Sequence, residues 1–357
     1  MSPEPKKRVS QAQIAREAGC SQALVSLILN GRTKGIARKS LENVRRIAAQ
    51  HGYSPRGMKL DELNSSEHIK TVGYILRSPL KLANKSNFFS HIHQGLHEHL
   101  SERQIKTVYL GSEDDFQNDT QSVSEHLPKT IKAVAVMGQV NSHLLEELRL
   151  TGKPIIYISA RATGKCHSVL SNEADSAELL VDHLHQLGHR SFAWIGGTPS
   201  GRREERLSAL KTALEQRELR LEPEFDIATI EADRNQGFEA AQRIHETVTS
   251  KGLPMPTAWI GFNALMARGA INYLFQNGFR IPGDISFAAF DMTRVCTEER
   301  PEITSAGSDP EKIGREAGRI ILQAIEEETE SLCDLTLPTY LCVRDTTAAA
   351  KPVTASI

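Results

Sequence analysis

Near the start of the chain, Gln22, Ala23 and Ser26 have the chemistry to read nucleic acid. Small and amide side chains at this spacing share the exposed face of a short helix and can approach base edges in a major groove. The stretch that must position them is Val9 to Asn30, VSQAQIAREAGCSQALVSLILN. Ser10 is placed to cap a first helix, whose apolar residues Ala12, Ile14, Ala15 and Ala18 recur at helical rather than alternating spacing. Gly19 supplies a tight turn and Ser21 caps again. Leu24, Val25, Ile28 and Leu29 then form the apolar stripe of a second short helix. This spacing is that of a helix-turn-helix, and equally that of a plain helical hairpin that never meets DNA.

Charge separates these readings. Residues 1–60 hold twelve Lys and Arg against three Asp and Glu, a surplus of nine. The whole chain, with 43 basic and 44 acidic residues, is nearly neutral, so the remainder carries a deficit of ten. A basic head on an acidic body is expected when one domain meets phosphate and the other stays in solution.

At 357 residues the chain can bury more than one core. It has neither an apolar stretch of bilayer length nor the apolar segment of a secretory signal behind Lys6, Lys7 and Arg8, so a cytoplasmic protein without a membrane partner is expected. Its five cysteines, Cys20, Cys166, Cys296, Cys333 and Cys342, are scattered and predict reduced thiols rather than a disulfide framework or a zinc site. His91, His93, His97 and His99 lie close together, but no carboxylate or cysteine completes a ligand set, and they read as a solvated face rather than a metal centre. With no G-x-S-x-G, Walker A or zinc motif, neither an enzyme nor a cofactor is predicted.

Beyond residue 70 short apolar runs alternate with amphipathic stretches. Strands are predicted over 72–76, 107–110, 133–137, 154–159, 192–195, 226–231, 258–262 and 286–290, and helices over 88–103, 142–151, 174–187, 205–217, 237–249 and 265–277. Repeated strand-helix units imply parallel sheets flanked by helices, two sheets for this many strands. In such sheets small ligands sit at the carboxyl ends of strands, which here offer Arg77, Ser78, Ser159, Asn263 and Asp291, with Arg206 on the helix after a Gly-rich loop.

Several motifs together resemble the lactose-repressor/galactose-repressor family of bacterial transcription regulators. They are Ile14-Ala15, Ala18-Gly19-Cys20-Ser21, Val25-Ser26, Leu29-Asn30-Gly31 and Gly52-Tyr53-Ser54-Pro55, then Asn172-Glu173, Gly188-His189-Arg190, Arg206-Leu207, Ile281-Pro282-Gly283-Asp284, Phe290-Asp291 and Val343-Arg344-Asp345-Thr346. The resemblance implies an all-α helix-turn-helix headpiece over residues 1–55 and a hinge over 56–69. A two-lobed α/β core like the periplasmic binding proteins would follow over 70–347, with a tail over 348–357. Lobe 1 is then about 70–171 and 307–337, and lobe 2 about 172–306 and 338–347.

The implied function is repression through double-stranded, near-palindromic operator DNA by a homodimer whose affinity a small polar effector controls. DNA contacts are expected from Ser10, Ser21, Gln22, Ala23, Ser26, Leu27, Asn30, Lys34 and Arg56, with Leu60 or Leu63 as a minor-groove wedge. The hinge departs from the family, since Arg56 and Glu62 stand where asparagine and leucine are usual, so a plain flexible linker is the alternative. Leu27 stands where arginine is common and could make only apolar contact with a base.

By the same resemblance Arg206, Asp291 and Asn263 grip the effector's hydroxyls, although Arg206 and Asp291 could instead form an architectural ion pair. Ser159 and Ala264 stand where acids are usual, and Arg77 and Arg234 add cations. That exchange points to a sugar, and in particular to an anionic sugar derivative. A solute-binding sensor with no DNA role is the competing reading, disfavoured by the basic head.

Overall fold

The computed structural model describes residues 10–29, 36–51, 70–78, 88–117, 123, 127–128, 130–199, 201–327 and 331–351. It divides into two compact units, Met1–Ile69 and Lys70–Ile357.

The first unit is a three-helix cluster of α1 (Gln11–Ala18), α2 (Gln22–Leu29) and α3 (Arg38–Gln50). Ser10 accepts a hydrogen bond from the Gln13 amide, and Gly19 ends α1 at φ 64°, a conformation that costs glycine least. Ile14, Ala15, Val25, Ile28, Leu29, Val44, Ile47 and Ala48 make its core. Two polar ties close it: Asn43 Nδ2 donates to the Ala18 carbonyl at 3.3 Å, and His51 bonds Glu17, which lowers that carboxyl's pKa.

The second unit holds two six-stranded sheets. The first has the order β11-β5-β4-β3-β1-β2, with β1 (Thr71–Leu76), β2 (Lys106–Ser112), β3 (Ile131–Met137), β4 (Ile155–Ile158), β5 (His167–Ser171) and β11 (Asp334–Leu337). The second has the order β12-β10-β9-β8-β6-β7, with β6 (Phe192–Ile195), β7 (Asp226–Ile227), β8 (Ala258–Gly261), β9 (Ser286–Phe290), β10 (Thr304–Gly307) and β12 (Tyr340–Cys342). All described pairings are parallel except β10 with β12. Strands such as β6, β8 and β9 are buried along their whole length, which continuous apolar runs permit because helices cover both faces.

The helices that frame the cleft are α4 (Phe88–Ser101), α7 (Glu173–Gln186), α8 (Gly201–Glu215), α9 (Arg234–Lys251), α10 (Ala264–Gln276) and α12 (Pro310–Glu327); α5 (Glu113–Gln117), α6 (Ser142–Leu150) and α11 (Val295–Glu298) complete the set. Helices α4 and α12 touch backbone to backbone. A Cβ built on Gly95 would lie 2.0 Å from the Glu311 carbonyl oxygen, and one on Gly314 2.0 Å from that of Ile92.

The chain passes between the lobes three times, after β5, after β10 and after β11. Ser308 ties these passages together, its buried hydroxyl lying 3.0 Å from Ser171 Oγ and 3.0 Å from the Pro338 carbonyl. The segment after β12 stays on lobe 2 beyond the expected end at residue 347: the Ala350 amide donates to the Leu187 carbonyl at 2.7 Å, and Lys351 meets Asp284 at 2.5 Å.

Three sequence expectations differ from these elements. Strand β7 spans two residues rather than 226–231, because the chain after Ile227 turns towards the cleft. Helix α9 starts at Arg234 rather than at Gly237, because the Asp233 side chain accepts from the Gln236 amide and caps it there. Helix α8 starts at Gly201 rather than near Glu205.

Candidate functional site

In the first unit the residues expected at DNA fall into two groups. Ser10 and Ser21 are committed to the helix starts, where Ser21 Oγ accepts from the Leu24 amide at 3.2 Å. Gln22, Ala23 and Leu27 are exposed on α2, Leu27 at 42% despite being apolar, and Ser26 beside them is half-buried. Burial of Val25, Ile28 and Leu29 on the opposite side is what turns this face outward. Asn30, Lys34, Arg56, Leu60 and Leu63 lie outside the described residues.

In the second unit a cavity of about 390 Å³ opens between the lobes at the carboxyl ends of both sheets. Arg77 and Ser78 after β1, Gly138 and Gln139 after β3, Ser159 after β4 and the rings of Phe88 and Phe89 line it from lobe 1. Lobe 2 contributes Thr198, Arg202 and Arg206, the segment Ile230–Asp233, Phe262–Leu265, Asp291 and Thr293. Ser159 and Asp291 both hold left-handed backbone, at φ 59° and 72°. Such strained turns cluster where a loop must aim a side chain.

Arg206 is the most constrained of these residues, only 2% exposed. Its Nε donates to Glu173 at 2.6 Å, its Nη2 to Asp291 at 2.5 Å and its Nη1 to the Phe262 carbonyl at 2.5 Å. Burial opposes its charge, but Asp291 and Glu173 more than reverse this and hold the guanidinium ionised. The guanidinium carbon also lies 5.0 Å and 4.8 Å from the ring centres of Phe262 and Phe290. The ion-pair arrangement is the one seen for Arg206 and Asp291, with the Arg206 donors engaged inside the protein.

Arg234 also departs from expectation. It does not line the cavity; as the first residue of α9 it turns to Glu299, whose carboxyl it holds below its usual pKa range. Asn263 does line the cavity, but its Oδ1 caps α10 by accepting from the Met266 amide at 2.8 Å and its Nδ2 donates to the Ala232 carbonyl at 3.0 Å. What remains for a ligand on lobe 1 is Arg77, with no ion pair among the described residues, and the buried Ser159 hydroxyl, which has no hydrogen-bond partner there.

Sequence reasoning missed two members of the site. Glu173, at the first position of α7, is the second carboxylate on Arg206. Arg202 lies one helical turn before Arg206, a spacing that already put both on one face of α8. Its Nη2 is 3.0 Å from Glu173 and 3.5 Å from Asp291, while its guanidinium carbon sits 4.7 Å from the centre of the Phe88 ring, across the cleft on lobe 1. Burial, reinforced by the neighbouring Arg206 charge, pulls the Arg202 pKa down.

The histidines of α4 do not assemble a metal site, and among the described residues no three potential ligands do. His93 and His97 both face the Thr107 hydroxyl, at 3.4 Å and 3.0 Å, and His91 is buried beside Glu311. No helix among the described residues is long and apolar enough to cross a membrane.

A helix-turn-helix unit is thus joined in one chain to a two-lobed core with a charged cleft. Comparison with known proteins agrees. The periplasmic binding protein-like domain model matches residues 181–347. Catabolite control protein A of Priestia megaterium is 25% identical over 343 residues, covering 94% of this chain and 98% of its own. The HTH-type transcriptional repressor PurR of Haemophilus influenzae is 25% identical over 329 residues, covering 89% and 92%. The solved transcriptional regulator CelR in complex with cellobiose has the same fold, with a TM-score of 0.68 at 21% identity, covering 95% of this chain and all of that one. These matched relatives are transcriptional regulators, and the chain is similar to them over nearly its whole length.

Proposed function

We propose that the protein is a transcriptional repressor that binds a near-palindromic operator as a homodimer and releases or tightens it when an effector occupies the cleft. The observation that carries this is the pairing of an outward α2 face, bearing Gln22, Ala23 and Leu27 on a segment with nine surplus positive charges, with a ligand-sized cavity in the same chain. One short helix reads a half-site weakly, so two copies are required for useful specificity. An exposed apolar edge on lobe 1 supports a second copy: β2 ends its sheet and leaves Val108 and Tyr109 41% and 39% exposed.

The effector is a sugar carrying one acidic group, a sugar acid or a phosphorylated sugar. Arg77 has the fork geometry for carboxylate or phosphate, and Glu231 and Asp233 across the cleft suit the acceptor side of a polyol. The likeness to a cellobiose complex supports the sugar half of this reading.

Selection of binding sites from random duplexes, repeated with neutral sugars, uronates and sugar phosphates, tests both halves. Recovery of an inverted repeat whose retention responds to an acidic sugar is expected, with the response lost in Arg77→Gln. An enriched sequence that responds only to neutral sugars, equally in both proteins, would refute the acidic group; no enriched sequence would refute the repressor.

A further inference from the structure

We infer that the core itself, and not only the headpiece, holds the DNA phosphate backbone, through a row of lysines at one end of lobe 1; this rests on the repressor reading above. Each of the five strands β1 to β5 is entered by a lysine. Lys70 directly precedes β1, Lys106 opens β2, Lys132 is the second residue of β3, and Lys153 and Lys165 each stand two residues before β4 and β5. Because these strands are parallel neighbours in the order β5-β4-β3-β1-β2, all five lysines fall at the same end of the sheet. At about 4.8 Å per strand they form a row roughly 19 Å wide.

This end is also where the chain from the headpiece arrives, since Lys70 is the first residue of the core. Lys70, Lys106 and Lys132 are exposed and have no ion pair among the described residues. Lys153 donates to the Ile131 carbonyl at 2.7 Å, which fixes it without neutralising it, and Lys165 shares Glu146 with Arg149. Of the acids described at this end, Glu102, Glu326 and Glu327 lie at the ends of helices α4 and α12, and Asp334, which opens the edge strand β11, is paired with Arg161 at 3.0 Å.

The corresponding end of lobe 2 is mixed in charge. There Asp226 opens β7, Asp284 and Glu302 each stand two residues before β9 and β10, and Arg190 stands two residues before β6. Lysines at five adjacent strand entrances of one lobe, in a body that carries ten surplus acids overall, suit a polyanion as partner. For a chain that carries a helix-turn-helix unit that polyanion is the duplex, with one negative charge per roughly 1.7 Å of axis.

The test uses the full chain and a random-sequence duplex, with binding followed by fluorescence anisotropy between 50 and 200 mM KCl. For Lys70→Gln/Lys106→Gln/Lys132→Gln the slope of log affinity against log salt becomes shallower by about 0.9 per lost phosphate contact, so two to three contacts cut the affinity lost over this range by roughly 10- to 40-fold. The control Arg220→Gln/Arg243→Gln/Lys251→Gln removes the same charge from exposed positions of lobe 2 and keeps the wild-type slope; all three proteins melt alike. An unchanged slope in the lysine variant, or an equal change in the control, overturns the inference. It is equally overturned if the lysine variant keeps its slope but loses stabilisation by inorganic phosphate, which would make the row a small-anion site. A wild-type chain that binds no duplex at any salt fails the repressor reading as well, which separates the two failures.

Discussion

Replacing Arg206 by methionine removes the cation from a closed group of charges and keeps most of its volume. Glu173 and Asp291 are 6% and 8% exposed at their side chains, and after the change Arg202 is the one cation left beside them, at 3.0 Å and 3.5 Å. Two buried carboxylates then share a single, partly exposed guanidinium. Breaking a buried pair from one side costs about 3–5 kcal/mol. With an unfolding entropy of about 2.1 cal/mol/K per residue over the Lys70–Ile357 unit, that is a fall of about 5–8 °C in the core's melting midpoint. Scanning calorimetry at pH 7.5 measures it directly. The geometry also dictates the sign of a second step: Glu173→Gln added to Arg206→Met leaves Arg202 balanced by Asp291, so the double variant melts above the single one. Additive losses, or a fall of less than 2 °C in the single variant, would refute the account of Arg206 as an internally spent charge.

Two further outcomes follow from the same structure. Leu27→Arg places a guanidinium on the exposed face of α2, where it can take a guanine bidentately; the selected operator should gain a guanine at one position per half-site, and unchanged selection would show that residue 27 does not face a base. The core should also lose stability in mild acid. His91, His167 and His189 are 7%, 6% and 3% exposed and burial lowers the pKa of each, so below about pH 6.5 the unfolded chain takes up protons that the native core refuses. Each such histidine removes up to about 1.4 kcal/mol per pH unit as pH falls from 6.5 towards its native pKa. His189→Asn should flatten the urea midpoint between pH 7.5 and 5.5, and an equally steep fall in that variant would exclude His189 as a contributor.

The sheets and most of their helices were legible because each strand is a short buried run and each helix has an apolar stripe, patterns set by local burial. Helix α12 stands outside the expected elements, although residues 310–327 carry a clear stripe from Ile313 to Ala324. For the site the limit was physical. Arg77, Ser78, Ser159, Asn263 and Asp291, read from strand ends, and Arg206, read from a helix, all line the cavity, but such positions carry no information on whether a donor is already used. Arg206 and Asp291 lie 85 residues apart in sequence, and Glu173 is 33 residues from Arg206, so only the fold reveals that the three saturate one another.

That saturation changes what the cleft can recognise. A ligand shifts the balance between open and closed lobes only through contacts that differ between them. Lobe 2 presents acids and hydrogen-bond acceptors around a neutralised Arg206, so a neutral sugar satisfied there gains little from lobe 1. Lobe 1 offers a cation, Arg77, together with the unpartnered Ser159 hydroxyl and the Phe88 ring that already holds Arg202 across the gap. Under the proposed function, a ligand with hydroxyls at one end and an acid at the other is the simplest species that engages both lobes. Under that proposed function, the same logic makes Arg77, rather than Arg206, the side chain that couples the effector to lobe closure.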